Sequence, residues 1–374
     1  MPTQHIPAEH GIVARIPGDP LGYFGWPTVA ALDDGRLVVA SSGLRSEHIC
    51  PFGKTVINFS DDEGQTWSDP RVINDCPLDD RDAGIVNLGD GKLLVSWFVT
   101  DNRYQLNEPY ALENYSKQEL DRWRDTLDKI DDEIAAQHVG SYVMLSADGG
   151  DTWSDRIRVP ASTPHGPIQL QNGKLLYFGK RTVDGPDELH HGTIVAAHSA
   201  DGGRTWTERG AVPLQPRTVG SNYHEPHVVE LPSGKLIGTI RIENAEGHSL
   251  DDSGLTHFNI VQTESDDGGH TWSTPKPLNF HGSPPHLLRH SSGALVLTYG
   301  YRLEPYGERV AISHDDGVTW THDLILRDDG PDVDLGYPST VELPDGRLFT
   351  LYYQKHADDQ KCSLLYSKWS LPEV

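Results

Sequence analysis

One eight-residue phrase recurs five times in this chain of 374 residues, and few folds can accommodate such a repeat. The phrase is Ser-x-Asp-x-Gly-x-Thr-Trp. It runs from Ser60 to Trp67, Ser146 to Trp153, Ser199 to Trp206, Ser265 to Trp272 and Ser313 to Trp320. Each copy follows a short run of β character, such as Val143-Met144-Leu145 or Val310-Ala311-Ile312. An Asp in a turn accepts hydrogen bonds from the turn's own N–H groups, and Gly takes positive φ without steric cost. Thr suits a strand, and Trp adds a large apolar plug. The phrase therefore reads as a self-satisfied turn between two strands, pinned by an aromatic ring. Five of the nine Trp residues sit in these turns, so they are read as scaffold without chemistry.

A second repeat runs out of phase with the first and sets the number of units. It consists of an apolar run, a Gly turn and another apolar run. The copies are Val29 to Val39 around Asp34-Gly35, Ile85 to Val95 around Asp90-Gly91, and Ile168 to Tyr177 around Asn172-Gly173. Then come Val228 to Ile237 around Ser233-Gly234, Leu287 to Val296 around Ser292-Gly293, and Val341 to Phe349 around Asp345-Gly346. Asp-Gly and Asn-Gly between apolar runs are strong hairpin signals. Six hairpins at intervals of 53 to 82 residues predict an all-β chain. The expected fold is a six-bladed β-propeller of four-stranded antiparallel blades. One such domain spans residues 1–374, with blades starting near residues 26, 83, 165, 225, 285 and 338.

Each unit reads strand A, Gly turn, strand B, variable loop, strand C, Ser-to-Trp turn, strand D. The sixth ends after Ser363–Trp369, without that turn and without a strand D. The N-terminus holds an unassigned apolar stretch, Gly11–Ile16, which is predicted to supply the missing strand and close the ring. Residues 101–139 in blade two do not fit the repeat. Within them, Ser116–Gln137 carries Leu120, Trp123, Leu127, Ile130 and Ile134 at helical spacing, behind a Ser116/Glu119 capping box. This predicts one helix packed on the rim. If the chain forms a homo-oligomer, this insert is the expected contact.

Charge bounds the partners. A formal net charge of −24 argues against nucleic acid and against an anionic membrane surface. It leaves room for an anionic small molecule held by a local Arg cluster. No stretch approaches 18 apolar residues, and Met1-Pro-Thr-Gln-His-Ile-Pro has neither the basic start nor the apolar run of a leader. Cys50, Cys76 and Cys362 are sparse and without metal-ligand spacing, so they read as reduced thiols in a cytoplasmic protein. No cofactor is expected. His165, His224, His227 and His286 lack the short ligand spacing of a metal site, so no metal is expected either.

In such blades the Gly and Trp turns share one face, and the irregular loops share the other, where function concentrates. Entering the A strands on that second face are Gly25-Trp26-Pro27, Asp80-Arg81-Asp82, Thr163-Pro164-His165, Tyr223-His224-Glu225-Pro226-His227, Pro284-Pro285-His286 and Gly336-Tyr337-Pro338. Leaving the B strands are Arg45-Ser46-Glu47-His48, Lys180-Arg181, Arg241-Ile242-Glu243 and Tyr299-Gly300-Tyr301-Arg302. Ionisable groups thus converge from six blades on one axis. In a net-acidic chain, several Arg side chains at one mouth point to carboxylate recognition.

These residues resemble the sialidase (neuraminidase) superfamily, whose Asp-boxes the Ser-to-Trp turns match along nearly the whole chain. Glu225-Pro-His through Arg241 is similar to the family stretch from the catalytic Glu to an Arg of the carboxylate-binding triad. The resemblance implies Tyr337 as nucleophile, Glu225 as its base and Glu47 as acid/base toward the leaving group. Arg45, Arg81, Arg241 and Arg302 would orient the substrate, with Arg309 a rival to Arg302. His48, His165 and His224 would contact hydroxyls. Two features depart from the family. Gly25-Trp26-Pro27 stands where sialidases carry Arg-Ile-Pro, and His165, His224 and His286 are additions. The implied activity is a sialidase-like exo-glycosidase that hydrolyses a terminal, acidic sugar from a glycan or oligosaccharide. Alternatives are a polysaccharide lyase or His-based glycosidase on the same propeller, and a non-catalytic carbohydrate-binding propeller.

Overall fold

The computed structural model describes residues 4–182 and 192–372, and over these the chain forms six antiparallel sheets arranged as the blades of a propeller. The A strands are Tyr23–Ala31, Asp79–Gly89, a split pair Ala161–Ser162 and Ile168–Gln169, then Tyr223–Glu230, Pro285–Arg289 and Gly336–Glu342. Blade one shows the common order, with B (Leu37–Arg45), C (Lys54–Ser60) and D (Arg71–Asn74) each paired to the one before. Strand B of blade one is buried on both sides: Leu37, Val38, Val39 and Ala40 are all fully inaccessible. The reason is that blades pack face to face. Val29, Leu37 and Val39 of blade one share a cluster with Phe349 and Leu351 of blade six.

The repeated turns behave as their residue types dictate. In the copy at Ser199, the Ser hydroxyl donates to Asp201 Oδ1 at 2.8 Å and accepts from Gly203 N at 2.9 Å. Asp201 accepts from Thr205 N at 2.9 Å and from the Thr205 hydroxyl at 2.7 Å. The indole of Trp206 donates to Gly203 O at 2.9 Å. The Thr205 hydroxyl and N–H bonds hold the Asp201 carboxyl down at about 2. Glycine is needed at 203 for two reasons. Its φ is +93°, and a Cβ there would lie 2.7 Å from Leu94 of the preceding blade. The turn is therefore also where one blade rests on the last.

The ring closes as predicted. Ala8–Ala14 pairs antiparallel with Cys362–Trp369, beginning with Ala8 opposite Trp369. The strand starts three residues earlier than the predicted Gly11–Ile16 and ends at Ala14, two residues short of it. A short strand, Gln4–His5, adds in parallel to the outer edge of blade five, a pairing without a sequence signal.

The insert departs from the single helix predicted for 116–137. It forms helices Pro109–Asn114, Lys117–Leu127 and Asp132–His138. The capping box at Ser116 and Glu119 forms as read. The break comes from Asp131, whose side chain accepts from Ile134 N at 2.8 Å and so starts a new helix. Leu120, Trp123 and Leu127 pack into the core of blade two, so the apolar stripe is used within the chain. Among the described residues, no helix is long and apolar enough to cross a membrane.

Candidate active site

Four blades enter the axis through one backbone device. Trp26, Asp82, Glu225 and Tyr337 all have positive φ, at 49°, 51°, 47° and 53°. Each sits where the A–B ladder slips register. A left-handed conformation costs an L-residue about 1–2 kcal/mol, and such strain persists where the surroundings impose it. A bulge of this kind re-aims a side chain. Pro27, Pro226 and Pro338 follow three of the four, and proline disfavours the right-handed helical conformation in the residue before it. In blade three the residue with this geometry is Gly166, before Pro167, so that blade contributes no side chain from this position.

The bulges bring Glu225 and Tyr337 together from 112 residues apart, and the Tyr337 hydroxyl donates to Glu225 Oε1. Arg241, on strand B beside Glu225, donates to Glu225 Oε2 at 2.5 Å and lies 3.4 Å from the Tyr337 oxygen. Its other arm donates to Glu243 at 2.5 Å, and its plane lies 4.8 Å over Phe258. Burial pushes the Glu225 carboxyl up, but the Arg241 charge and the Tyr337 hydroxyl more than reverse this, leaving it below the usual range. Burial and the Glu225 charge push the Tyr337 hydroxyl well above its usual value of 10. The pair is therefore a neutral phenol held by an ionised carboxylate. A phenol in this state becomes nucleophilic only as its proton leaves, and Glu225 is placed to take it.

The cationic groups divide into two kinds. Arg241 has a carboxylate on each arm. Among the described residues Arg302 donates only to the backbone oxygen of Leu335, at 2.9 Å, and it stands 5.7 Å over the Tyr337 ring. Arg81 lies 4.1 Å over the Trp26 ring, with carboxylates no nearer than 3.9 Å. Trp26 itself is fully buried, so it supports the guanidinium from below. On the other side, a cavity of about 240 Å³ adjoins Glu225, lined by Asp82, Thr163, Lys180 and His224. Burial lowers Lys180 to about 8, and burial raises Asp82 to about 7.

Several expected substrate contacts have other employment. Arg45 is fully buried. Its guanidinium donates to Asp79 at 2.5 and 2.8 Å, and to backbone oxygens of Asp80 and His48. It fastens the loop after strand B and is out of reach of a ligand. His165 is 3% exposed and lies in the axis with His227 and His286. These three join blades: His165 Nδ1 bonds the Thr28 hydroxyl, His227 Nδ1 accepts from Leu287 N, and His286 Nδ1 accepts from Thr340 N. His227 and His286 therefore carry their protons on Nε2, whereas a metal ligand usually donates its second ring N–H. Among the described residues, no group of three or more His, Cys, Asp or Glu is placed to hold a metal ion. Arg309 lies 4.4 Å over the Tyr301 ring and donates to backbone oxygens of Arg327 and Pro305, whereas Arg302 stands over Tyr337, so Arg302 is the better placed of the two rivals. His224 pairs with Glu243 at 3.0 Å and meets Lys180 at 3.1 Å, a link in the wall of the site. Glu47 is partly exposed and pairs with Lys361 at 3.1 Å.

Asp334 was not singled out from the sequence. It precedes the last A strand in an acidic loop with Asp328, Asp329 and Asp332. Its carboxylate accepts from Tyr23 at 3.0 Å and Tyr353 at 3.1 Å, and meets His48 Nδ1 at 2.8 Å. Glu243 and Lys180 stood in the predicted loops, but only the fold brings them beside Glu225.

Solved structures share this architecture. A protein of unknown function from Dyadobacter fermentans superposes with a TM-score of 0.75 at 23% identity, covering all of both chains. The NanB sialidase from Streptococcus pneumoniae gives a TM-score of 0.66 at 15% identity, over 99% of this chain and 71% of that one. The intramolecular trans-sialidase from Ruminococcus gnavus gives 0.62 at 17% identity, over 96% and 97%. At these identities the likeness is one of fold, a six-bladed propeller. No curated protein sequence matches the chain. Residues 129–350, more than half of the chain, match the BNR repeat-like domain, and the chain belongs to that family.

Proposed function

We propose that this protein is a sialidase-like glycosidase that hydrolyses a terminal acidic sugar from a glycan or oligosaccharide. The observation that carries the reading is the Tyr337–Glu225–Arg241 group at the mouth of the axis, its first two members presented on strained bulges. Tyr337 attacks the anomeric carbon while Glu225 takes its proton. A neutral nucleophile suits an anionic sugar, because it does not repel the substrate's charge, and tyrosine is the known exception to the two-carboxylate pattern of glycosidases. The substrate's acidic group is assigned to Arg302, which forms no ion pair among the described residues, and to Arg81, whose nearest carboxylates, Asp79 and Asp82, stand 3.9 Å away. Trp26 stands where a third arginine is found in sialidases, so the acidic group is gripped differently here from the way sialic acid is gripped there.

The test is a screen of aryl glycosides and oligosaccharides, including sialosides, uronides and deoxy sugars, with product identification. Tyr337→Phe should lower turnover of the hydrolysed substrate by about 10³-fold or more, with an unchanged circular dichroism spectrum. Near-normal turnover in that variant, or an unsaturated product absorbing in the ultraviolet, refutes the hydrolytic mechanism.

A further inference from the structure

His48 and Asp334 form a pair that the chemistry so far leaves unused. His48 follows strand B of blade one and Asp334 precedes strand A of blade six, so ring closure joins them across 286 residues. Asp334 already accepts from two tyrosine hydroxyls, and His48 Nδ1 lies 2.8 Å from its Oδ1. A carboxylate in that role accepts, so Nδ1 carries the hydrogen and Nε2 is the free nitrogen. Among the described residues Nε2 has no protein partner, on a side chain that is 36% exposed. The imidazole stands edge-on to Trp26 at 4.9 Å, and Tyr337 flanks the same ring at 6.3 Å. Arg302, 5.7 Å over the Tyr337 ring, also acts on His48, so the two groups share Trp26 and Arg302 as neighbours. Glu47, one residue earlier, has committed its carboxylate to Lys361.

We propose that His48, positioned by Asp334, is the acid/base group that serves the leaving group, a role that rests on the glycosidase reading of this site. As Tyr337 Oη bonds to the anomeric carbon and its proton passes to Glu225, the bond to the leaving group breaks. The departing oxygen takes the proton from His48 Nε2. In the second half, water attacks the anomeric carbon and gives one proton to His48 Nε2. The bond to Tyr337 breaks, and Tyr337 recovers its proton from Glu225. The charged and titratable groups facing His48 are Asp334, Tyr23, Arg81 and Arg302. Burial holds the imidazole below its usual 6.5, with Asp334 opposing and the two arginines reinforcing. Transfer to the leaving group needs the protonated ring, so the rate of that step should fall as pH rises through this lowered value.

The experiment compares 4-nitrophenyl and 4-methylphenyl glycosides of whichever sugar the wild-type enzyme turns over. A good leaving group needs no proton. Loss of a general acid costs roughly 10²- to 10⁴-fold when a proton is required. His48→Gln should therefore lose at least about 100-fold in kcat/KM on the 4-methylphenyl substrate and less than about 10-fold on the 4-nitrophenyl one. Glu47→Gln should show no such split. Asp334→Asn should move the alkaline limb of the rate profile to lower pH, because the carboxylate that favours the imidazolium is gone. Equal losses on both substrates in His48→Gln, or the split appearing in Glu47→Gln, overturns the assignment while leaving the Tyr337 chemistry standing. A wild-type protein that cleaves no glycoside overturns both.

Discussion

Acid should loosen this propeller at its axis, and His227 provides a way to measure it. The side chain is 7% exposed, stacked at 4.2 Å on His286, and accepts the Leu287 N–H at 3.0 Å. Burial lowers its pKa to about 3. Protonating Nδ1 would also set two N–H donors face to face. In the unfolded chain the same residue titrates near 6.5. Below that pH the unfolded state binds a proton that the folded state refuses, so the stability contribution is full above about 6.5 and is lost progressively as pH falls toward 3. Each pH unit in that window removes about 1.36 kcal/mol. Between pH 7 and 4.5 the loss from this one residue is about 2–3 kcal/mol. Glutamine at 227 keeps an acceptor for Leu287 N and cannot titrate. The assay is urea denaturation of wild type and His227→Gln at both pH values and constant ionic strength. Carboxylates shared by the two proteins cancel in the comparison. The drop in unfolding free energy from pH 7 to 4.5 should be smaller in His227→Gln by about 2–3 kcal/mol. Equal drops in the two proteins, within about 0.5 kcal/mol, would refute the claim that the ring is held neutral in the fold.

Two further predictions concern the scaffold. Gly203→Ala forces a Cβ into a residue at φ +93° and within 2.7 Å of Leu94, and should cost about 2 kcal/mol, read as a shifted denaturation midpoint. Deleting residues 1–15 strips the strand that covers Cys362–Trp369 and bares an edge. The truncated protein should lose cooperative melting and aggregate on gel filtration, and a monomer with unchanged melting would argue that closure contributes nothing.

Much of the architecture was legible because it is written locally. Each Ser-to-Trp turn satisfies its own hydrogen bonds within eight residues, and each Gly hairpin needs only two. Six copies of such units, with the last one short of a strand, were enough to count the blades and to assign Ala8–Ala14 its place to within a few residues. Glu225 and Tyr337 were legible as a pair only through their resemblance to a known pattern. Their left-handed backbone was half-visible in the X-Pro dipeptides that begin three of the A strands. The break at Asp131 was missed because an apolar period of three or four persists across two helices that share a buried face, and the cap that separates them competes on equal terms with helix propagation.

What no local signal could supply is which charge meets which. Arg45 and Arg302 look alike in the chain, each leaving a strand B toward the same face. Packing buries Arg45 against Asp79 and, among the described residues, leaves Arg302 with a single backbone partner, because of the two Arg45 is the one that has a carboxylate from the next blade delivered to it. His48 and Asp334 have no relation until the ring closes. The amino-acid order alone determined the repeating sheets and their number, since those depend on contacts within tens of residues. The tertiary structure decided the chemistry of the mouth, since that depends on desolvation and on pairings made across blades.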